Sequence, residues 1–552
     1  MVQINYAKLN DKMQRYATGT CEGDLEGFSE TDLSALVKNN KPPEFISFDG
    51  NGIDLNDRNK KFYESGDYAG YISSEVSDEN CNLSGAGIYI SYKGVVLDNL
   101  DLSQGITFSF YGDCCREMYI QYINSNTETF WEENIAVNSD LFVLKPADTL
   151  VSYATALRIT FTKTTLPNQF LKLSYIKFGT VTALKRIKNI NLLEEINVLS
   201  DDLPINSLEY TVVLDEPIEF QDDDLMGVYS NGKYYGTFYL DEAERISQKV
   251  YNIKALNCLS ILDKCDYDDW HGTMDLSYFI DVVKSKTGVT ISETSGRPYF
   301  TFGYIPINSC RFALCACCFA LGFMVDGSRN DSIELIKIPS KITSIIKTSD
   351  KRIIGEATYH KSKAITAANV HKVNNVIYNQ TSLEYKKSGK YYFSESPIDI
   401  SSSDTSGVVL EEHSLNFIRF SMDDSIGSAT FSGHKLEFTA DNYKIVNPNV
   451  TNEKTNEINL NDFLIVGRVL ISTGIGETPY VYADISRDRQ ILKYIQSGGT
   501  VKAKIRLRGE CVGDLIQIET AFDGMKTGII TSMDISFGYE DVADIEVLEW
   551  NL

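Results

Sequence analysis

The sequence predicts a mainly β chain with some α, opening with an antiparallel β-sandwich and continuing through strand-rich regions with a few helices. Three observations predict it. The 552 residues include 32 Tyr and 27 Phe, and Val, Ile and Thr recur in short runs, a mix that suits a half-buried pleated surface. Runs of apolar alternation follow one another closely over residues 45–180, separated by turn residues. Apolar residues at helical spacing appear in only a few places.

Residues 1–44 are polar and mixed, and are set aside as an N-terminal segment. SETDLSAL (29–36) reads as one short helix capped by Ser29 or Thr31, and Pro42-Pro43 marks a boundary. The sandwich is expected over 45–180. Its strands are GIYISYK (87–93), ITFSFYG (106–112), EMYIQYI (117–123), LFVLK (141–145), ALRITFT (156–162) and FLKLSYIKFG (170–179). Ile106, Phe108 and Phe110 share one face, as do Leu157, Ile159 and Phe161. The Gly179 region closes this part, which is expected to be separable.

Residues 181–340 mix strands and helices as an α+β domain. LEYTVVLDE (208–216) and GKYYGTFYLDEAERI (232–246) read as strands, the second opened by the hairpin-turn pair Asn231-Gly232. VYNIKALNCL (250–259) follows as a strand. Leu276, Phe279, Ile280 and Val283 form one helical stripe that Gly288 ends. FALCACCFALGF (312–323) is a buried helix ending at Gly322, followed by a hairpin over 323–338. Residues 341–480 look strand-rich, with loop-like stretches at 394–407 and 447–462. The part 481–552 has a helix capped by Ser486 and stopped at Gly498-Gly499, then about four strands.

At roughly 100–200 residues per domain this length holds several domains. The net charge of -24 and pI near 4.7 argue against general nucleic-acid binding. The densest basic run, KAKIRLR (502–508), alternates Lys502, Lys504, Arg506 and Arg508 with Ala503, Ile505 and Leu507, as a strand with one solvated face does. No apolar stretch is long enough for a helical membrane span, and the start lacks a signal-peptide core. The 11 Cys follow no disulfide framework or repeated metal spacing. Cys310, Cys315, Cys317 and Cys318 lie in or beside the apolar helix. Leu314, Cys317, Cys318 and Leu321 form its core face, so packing is the expected role rather than metal binding.

Catalytic signatures are missing from the sequence. The five His form no HExxH, and no Gly-x-Ser-x-Gly elbow, GxxxxGK[ST] or GxGxxG follows a strand. No catalytic residue, cofactor or metal is therefore assigned. The runs Asp222-Asp223-Asp224 and Asp266-Tyr267-Asp268-Asp269 read as solvated loops. DGNGIDLND (49–57) offers oxygen donors at Asp49, Asn51, Asp54 and Asp57, but it misses the EF-hand register and reads as a turn. Sugars stack on exposed aromatic faces, so Tyr89, Tyr92, Tyr111, Tyr119 and Trp131 are the candidate glycan contacts. Tyr122 is also available, although alternation should bury some of these rings.

Several phrases, in their order along the chain, resemble a recurrent tail hub or tail-associated protein of phages and prophages of Gram-positive bacteria. They are GYISSEVSDENCNLSGAGIYISY, LPNQFLKLSYIKFG, NVLSDDLPINSLEYTVV, GKYYGTFYLDEAERISQKVYNIKALNCLSILDK, GYIPINSCRFALCACCFALGFMVDGSRNDSIEL, GDLIQIET and TGIITSMDISFGYEDVADIEVLEW. The resemblance covers most of 65–340 and 480–552. It implies hub-type β-barrel-like domains in a homotrimeric ring at the end of the tail tube, with the sandwich as an outer decoration. It also implies a virion-tail location and tail-tube, tip and tape-measure proteins as partners. The alternatives are a carbohydrate-binding adhesin contacting a host surface glycan, and a tail-associated peptidoglycan-degrading enzyme.

Overall fold

The computed structural model describes residues 2–9, 17–22, 62–65, 68–73, 76–84, 87–92, 105–111, 114–144, 154–215, 217–231, 233–269, 272–293, 300–303, 307–329, 331–393, 397–402, 407–414, 416–450, 456–460, 470–471, 480–481 and 485–550. Strands dominate them, and most are antiparallel. The helix expected over 29–36, the Pro42-Pro43 boundary and the 49–57 loop lie outside the described residues. The chain divides into two compact units, Val2–Ile187 with Val212–Tyr251, and Lys188–Thr211 with Asn252–Leu552.

The first unit holds the sandwich. One sheet has the order Ala17–Glu22, Gly87–Tyr92, Ala156–Thr164, Cys115–Ile123, Thr129–Ala136. The other joins Phe62–Ser65, Tyr68–Ile72, the first half of Lys172–Leu184, Ile106–Phe110 and Leu141–Leu144. The alternation read from the sequence is what fills the space between them. Ile88, Ile120, Leu157, Ile159 and Phe161 from one sheet meet Ile106, Phe108, Leu173, Ile176 and Phe178 from the other in a single buried core. Each such side chain contributes about 1.5–3 kcal/mol by leaving water.

The expected boundary near residue 180 falls inside the strand Lys172–Leu184. Its second half leaves the sandwich and pairs with Val2–Leu9, from Leu9 opposite Gly179 to Ile4 opposite Leu184. At the changeover Gly179 has φ +140°, and a Cβ there would lie 2.2 Å from the Lys8 carbonyl oxygen. Only glycine accepts both the backbone and the approach. Thr107 spans the split, since its hydroxyl donates to the Gly179 carbonyl (2.7 Å) and accepts from the Val181 N–H (3.1 Å). The other edge of Val2–Leu9 pairs with Leu225–Ser230, which forms a hairpin with Lys233–Ser247. Asn231 turns that hairpin at φ +50°. The N-terminal stretch, expected to be a polar segment, thus contributes a strand in which Ile4, Tyr6 and Ala7 are buried.

In the second unit, Leu515–Thr520, Gly524–Ser536, Val542–Glu549 and Gly499–Arg506 pair in succession, antiparallel. The segment 343–361 closes this sheet on itself. Thr358–Lys361 pairs with Gly499–Lys502, Ile353 bridges Ile505, and Ser344–Ile346 runs parallel to Ile516–Ile518. The result is a small barrel, with Ile346, Val501, Ile505, Ile518, Ile530, Met533, Ile545 and Val547 buried on one face of the sheet. Closing a sheet removes its open edges. Arg352, on the closing segment, holds Glu510 at 2.5 Å, and both side chains are almost fully buried. Arg352 also donates to the Arg506 carbonyl, while Glu510 accepts from the Ser344 hydroxyl and the Arg508 N–H.

The same unit holds helices α1 (Leu276–Thr287), α2 (Cys310–Leu321) and α3 (Ile485–Ile495). Asp275 and Ser309 cap α1 and α2 by accepting the N–H groups of Ser277 and Phe312. Gly288 and Gly322 end them in the left-handed conformation, as their place in the sequence predicted. The stretches expected as loops at 394–407 and 447–462 contain strands. Pro397–Ser402 pairs with the long strand Ala429–Val446, and Glu457–Leu460 runs parallel to the start of Ala367–Tyr385. Each stretch carries only a short apolar signal, Ile400 in one and Leu460 in the other, and both residues are buried.

Candidate functional site

The sandwich face was the expected place for ligand contacts, and the structure scatters the candidate residues. Alternation along Cys115–Ile123 sends Met118, Ile120 and Tyr122 inward and Tyr119 and Gln121 outward. Tyr122 is therefore core, and its hydroxyl donates to Glu133 at 2.7 Å. Burial, reinforced by that carboxylate, pushes its phenol well above the ordinary range. Tyr119 and Tyr89 belong to the outer surface of this sheet, where Tyr89 faces Arg158 and Tyr119 faces Thr160 in the register. Tyr119 donates to Glu132, which raises the phenol. Tyr111 stands apart, exposed beyond Ile106–Phe110, with the Lys172 ammonium 5.6 Å from its ring centroid. The side chain of Tyr92 lies outside the described residues.

Trp131 is on the edge strand Thr129–Ala136, opposite Tyr122, and is 41% exposed. A register shift separates that pair from Ile123 opposite Thr129, so Phe130 occupies a bulge. Bulges re-aim side chains. The sequence reading named Trp131 as a candidate but not Phe130, which is also exposed. Phe130 and Trp131 are thus two exposed rings, adjacent in sequence, on this edge strand.

Each acidic run is solvated in part, with Asp222 and Asp266 exposed, but one carboxylate in each is buried. Asp224 is buried, accepting the Tyr6 hydroxyl at 2.6 Å and the Gln221 N–H at 2.8 Å. Asp266–Tyr267 is a short strand against Asn308–Ser309, and Tyr267 packs on Phe279. Asp268 is buried and receives Lys286 on one carboxylate oxygen and Lys390 (2.9 Å) and the Tyr392 hydroxyl (3.2 Å) on the other. Burial pushes this carboxyl up, but Lys286 and then Lys390 outweigh it and hold the group below its ordinary value. These carboxylates are buried because each has partners distant in sequence, which the run itself does not display. They serve as ties between elements: Asp268 links α1 to the strand Gly389–Tyr392.

A second tie joins Glu194 to Arg329 through a forked contact of 3.0–3.1 Å, with the carboxylate side chain only 1% exposed. The basic run has the solvated face expected of it. Lys502 and Lys504 point outward, paired with Glu546 and Asp544 across the ladder, and Arg506 pairs with Glu540 just beyond its end, while Ala503 and Ile505 are buried.

Helix α2 is buried almost all round, Cys310, Cys315, Cys317 and Cys318 included. The expected core face is part of a wider one. Ala316 and Phe319 meet Leu199, Ala368, Leu460, Ile491 and Ile495 in one cluster, and Cys315 donates to the Ser200 carbonyl at 3.2 Å. A helix apolar on every side is a central helix. No group of three or more metal-ligating side chains occurs among the described residues.

No protein-family model matches the chain, and no curated protein matches it. Among solved structures it is similar to the 43 kDa tail protein of prophage MuSo2 from Shewanella oneidensis, at 10% identity over 67% of this chain and 95% of that chain, with a TM-score of 0.38. It is similar to a tail protein from Neisseria meningitidis MC58, at 7% identity over 67% and 94%, with a TM-score of 0.40. It is also similar to prophage tail protein gp18 from Listeria monocytogenes EGD-e, at 11% identity over 66% and 91%, with a TM-score of 0.38. At these identities and TM-scores the likeness transfers neither a topology nor a role.

Proposed function

We propose that this chain is a structural component of a phage-type tail tip or baseplate, a virion part and not an enzyme. In this reading three copies form a hub ring that closes or continues the tail tube and anchors neighbouring tip proteins, the tape measure among them. One observation carries it: the phrases that resemble tail hub proteins coincide, in order, with framework elements. They supply strands of the sandwich, the strands Ser207–Val213, Lys233–Ser247 and Val250–Leu256, helix α2, and the barrel strands Leu515–Thr520, most of Gly524–Ser536 and Val542–Glu549. The buried charged groups described above act as ties between such elements. A net charge of -24 also suits a wall past which a polyanion must slide. Mass measurement of the assembled tail tip tests the reading. Three copies are expected, and one or six would overturn the ring.

A second reading, a surface-glycan contact on the sandwich, is favoured by the exposed pair Phe130 and Trp131. It expects binding on a glycan array that Trp131→Ala removes without changing the melting temperature. An array with no signal rejects it.

A further inference from the structure

We propose that Cys265 and Cys310 form a modification site, a pair of thiols that a small-molecule disulfide such as oxidised glutathione converts to an intramolecular disulfide. The proposal is independent of the tail reading. It starts from register. Asp266 pairs with Ser309 and Tyr267 with Asn308 in an antiparallel ladder, so the next residues in line are Cys265 and Cys310. One hydrogen bond joins them where the ladder gives way to α2, the Cys310 N–H donating to the Cys265 carbonyl at 2.8 Å. Residues directly opposite on a hydrogen-bonded rung lie about 5.5 Å apart at Cα, with side chains on the same face. A disulfide asks for a Cα separation of about 4.4–6.8 Å.

The two thiols are free and differ in access. Cys265 is partly exposed, with its thiol near the Lys286 carbonyl, whereas Cys310 is buried at the start of α2. Burial pushes the Cys310 thiol up to about 12, and the neighbouring Cys265 sulfur adds to that. The remaining cysteines of α2 are buried, and no other cysteine stands opposite Cys265 in the ladder.

Chemistry follows from that difference. The Cys265 thiol loses its proton to solvent, and the thiolate attacks one sulfur of the small disulfide. The S–S bond breaks, one small thiolate leaves and takes up a proton, and Cys265 carries the other half. Cys310 then gives up its proton and attacks the Cys265 sulfur, releasing the second small thiol. Two protein thiols are oxidised and one small disulfide is reduced to two thiols. The second step is the slow one, because a buried thiol with a raised pKa is seldom a thiolate. The product closes the loop that contains α1 and ties the start of α2 to the end of the short helix Cys258–Lys264. Cross-linking a loop stabilises by restricting the unfolded chain.

The test uses the full chain, purified reduced and incubated with oxidised glutathione at mildly alkaline pH. Free thiols are then alkylated, and peptides are analysed without reduction. Early samples should show glutathione on Cys265. Late samples should show the Cys265 peptide joined to the Cys310 peptide, with a melting temperature several degrees higher that dithiothreitol reverses. Cys310→Ser should stop at the glutathione adduct. Should that variant fail to fold, Cys265→Ser should leave Cys310 reduced and the melting temperature unmoved. A wild-type protein that keeps the adduct with Cys310 alkylated, or that joins either cysteine to a different one, overturns the proposal.

Discussion

Asp326 is placed at a cost that depends on pH. It ends the strand Met324–Asp326, accepts the Ser328 N–H at 2.8 Å and hydroxyl at 2.7 Å, and has Glu194 and Glu334 nearby. Burial first, and those two carboxylates after it, raise its pKa from 3.8 to about 6, more than the Ser328 hydrogen bonds can offset. A raised carboxyl keeps in the folded state a proton that the unfolded chain has released. Its contribution to stability is therefore complete below the ordinary value and is lost as pH rises from about 4 to about 6. Asp326→Asn keeps the acceptor and removes the charge. The variant should lose less stability than the wild-type protein between pH ~4 and pH ~7, by roughly 1–3 kcal/mol in urea unfolding. Equal pH dependence in the two proteins would contradict this. Single residues were legible where periodicity governed them, as with Phe108 or Phe161. They were illegible where a distant partner decided burial: nothing near Asp268 announces Lys390, and nothing near Asp224 announces Tyr6.

Elements were read well when their signals were local. The glycine stops of α1 and α2, the Asn231 hairpin and the four C-terminal strands are all found where the sequence placed them. The segment 343–361 is different. It is short, mostly polar and has no repeating pattern, yet it closes the barrel, because what places it is the clamp between Arg352 and Glu510. Burial pushes the Glu510 carboxyl up, but the Arg352 contact and the Arg508 N–H prevail and leave it below its ordinary value. Removing one member of a buried pair strands the other charge, at a cost of about 3–5 kcal/mol. Arg352→Ala should show that loss by chemical unfolding. The double variant Arg352→Leu with Glu510→Leu should recover much of it, since two apolar groups leave no charge behind. A double variant as damaged as the single one would mean that the hydrogen bonds to Ser344 and Arg506, and not the charge, hold the segment.

At the scale of the molecule, the mainly β class and the sandwich core followed from alternation alone. The grouping of the chain into units did not, because it depends on pairings between residues far apart. VQINYAKL carries the period-two pattern of Val2, Ile4 and Tyr6, but a strand of one octet among polar neighbours looks like an arm until its partners are known. Those partners are Gly179–Leu184 on one edge and Leu225–Ser230 on the other. That sandwiched position has a consequence for biosynthesis. Val2–Leu9 cannot complete its ladder until more than two hundred further residues have been made, so this unit cannot mature in the order of its translation. The octet can meet Gly179–Leu184 first and gains its second edge only with Leu225–Ser230, and contacts of such long sequence separation close late and slowly.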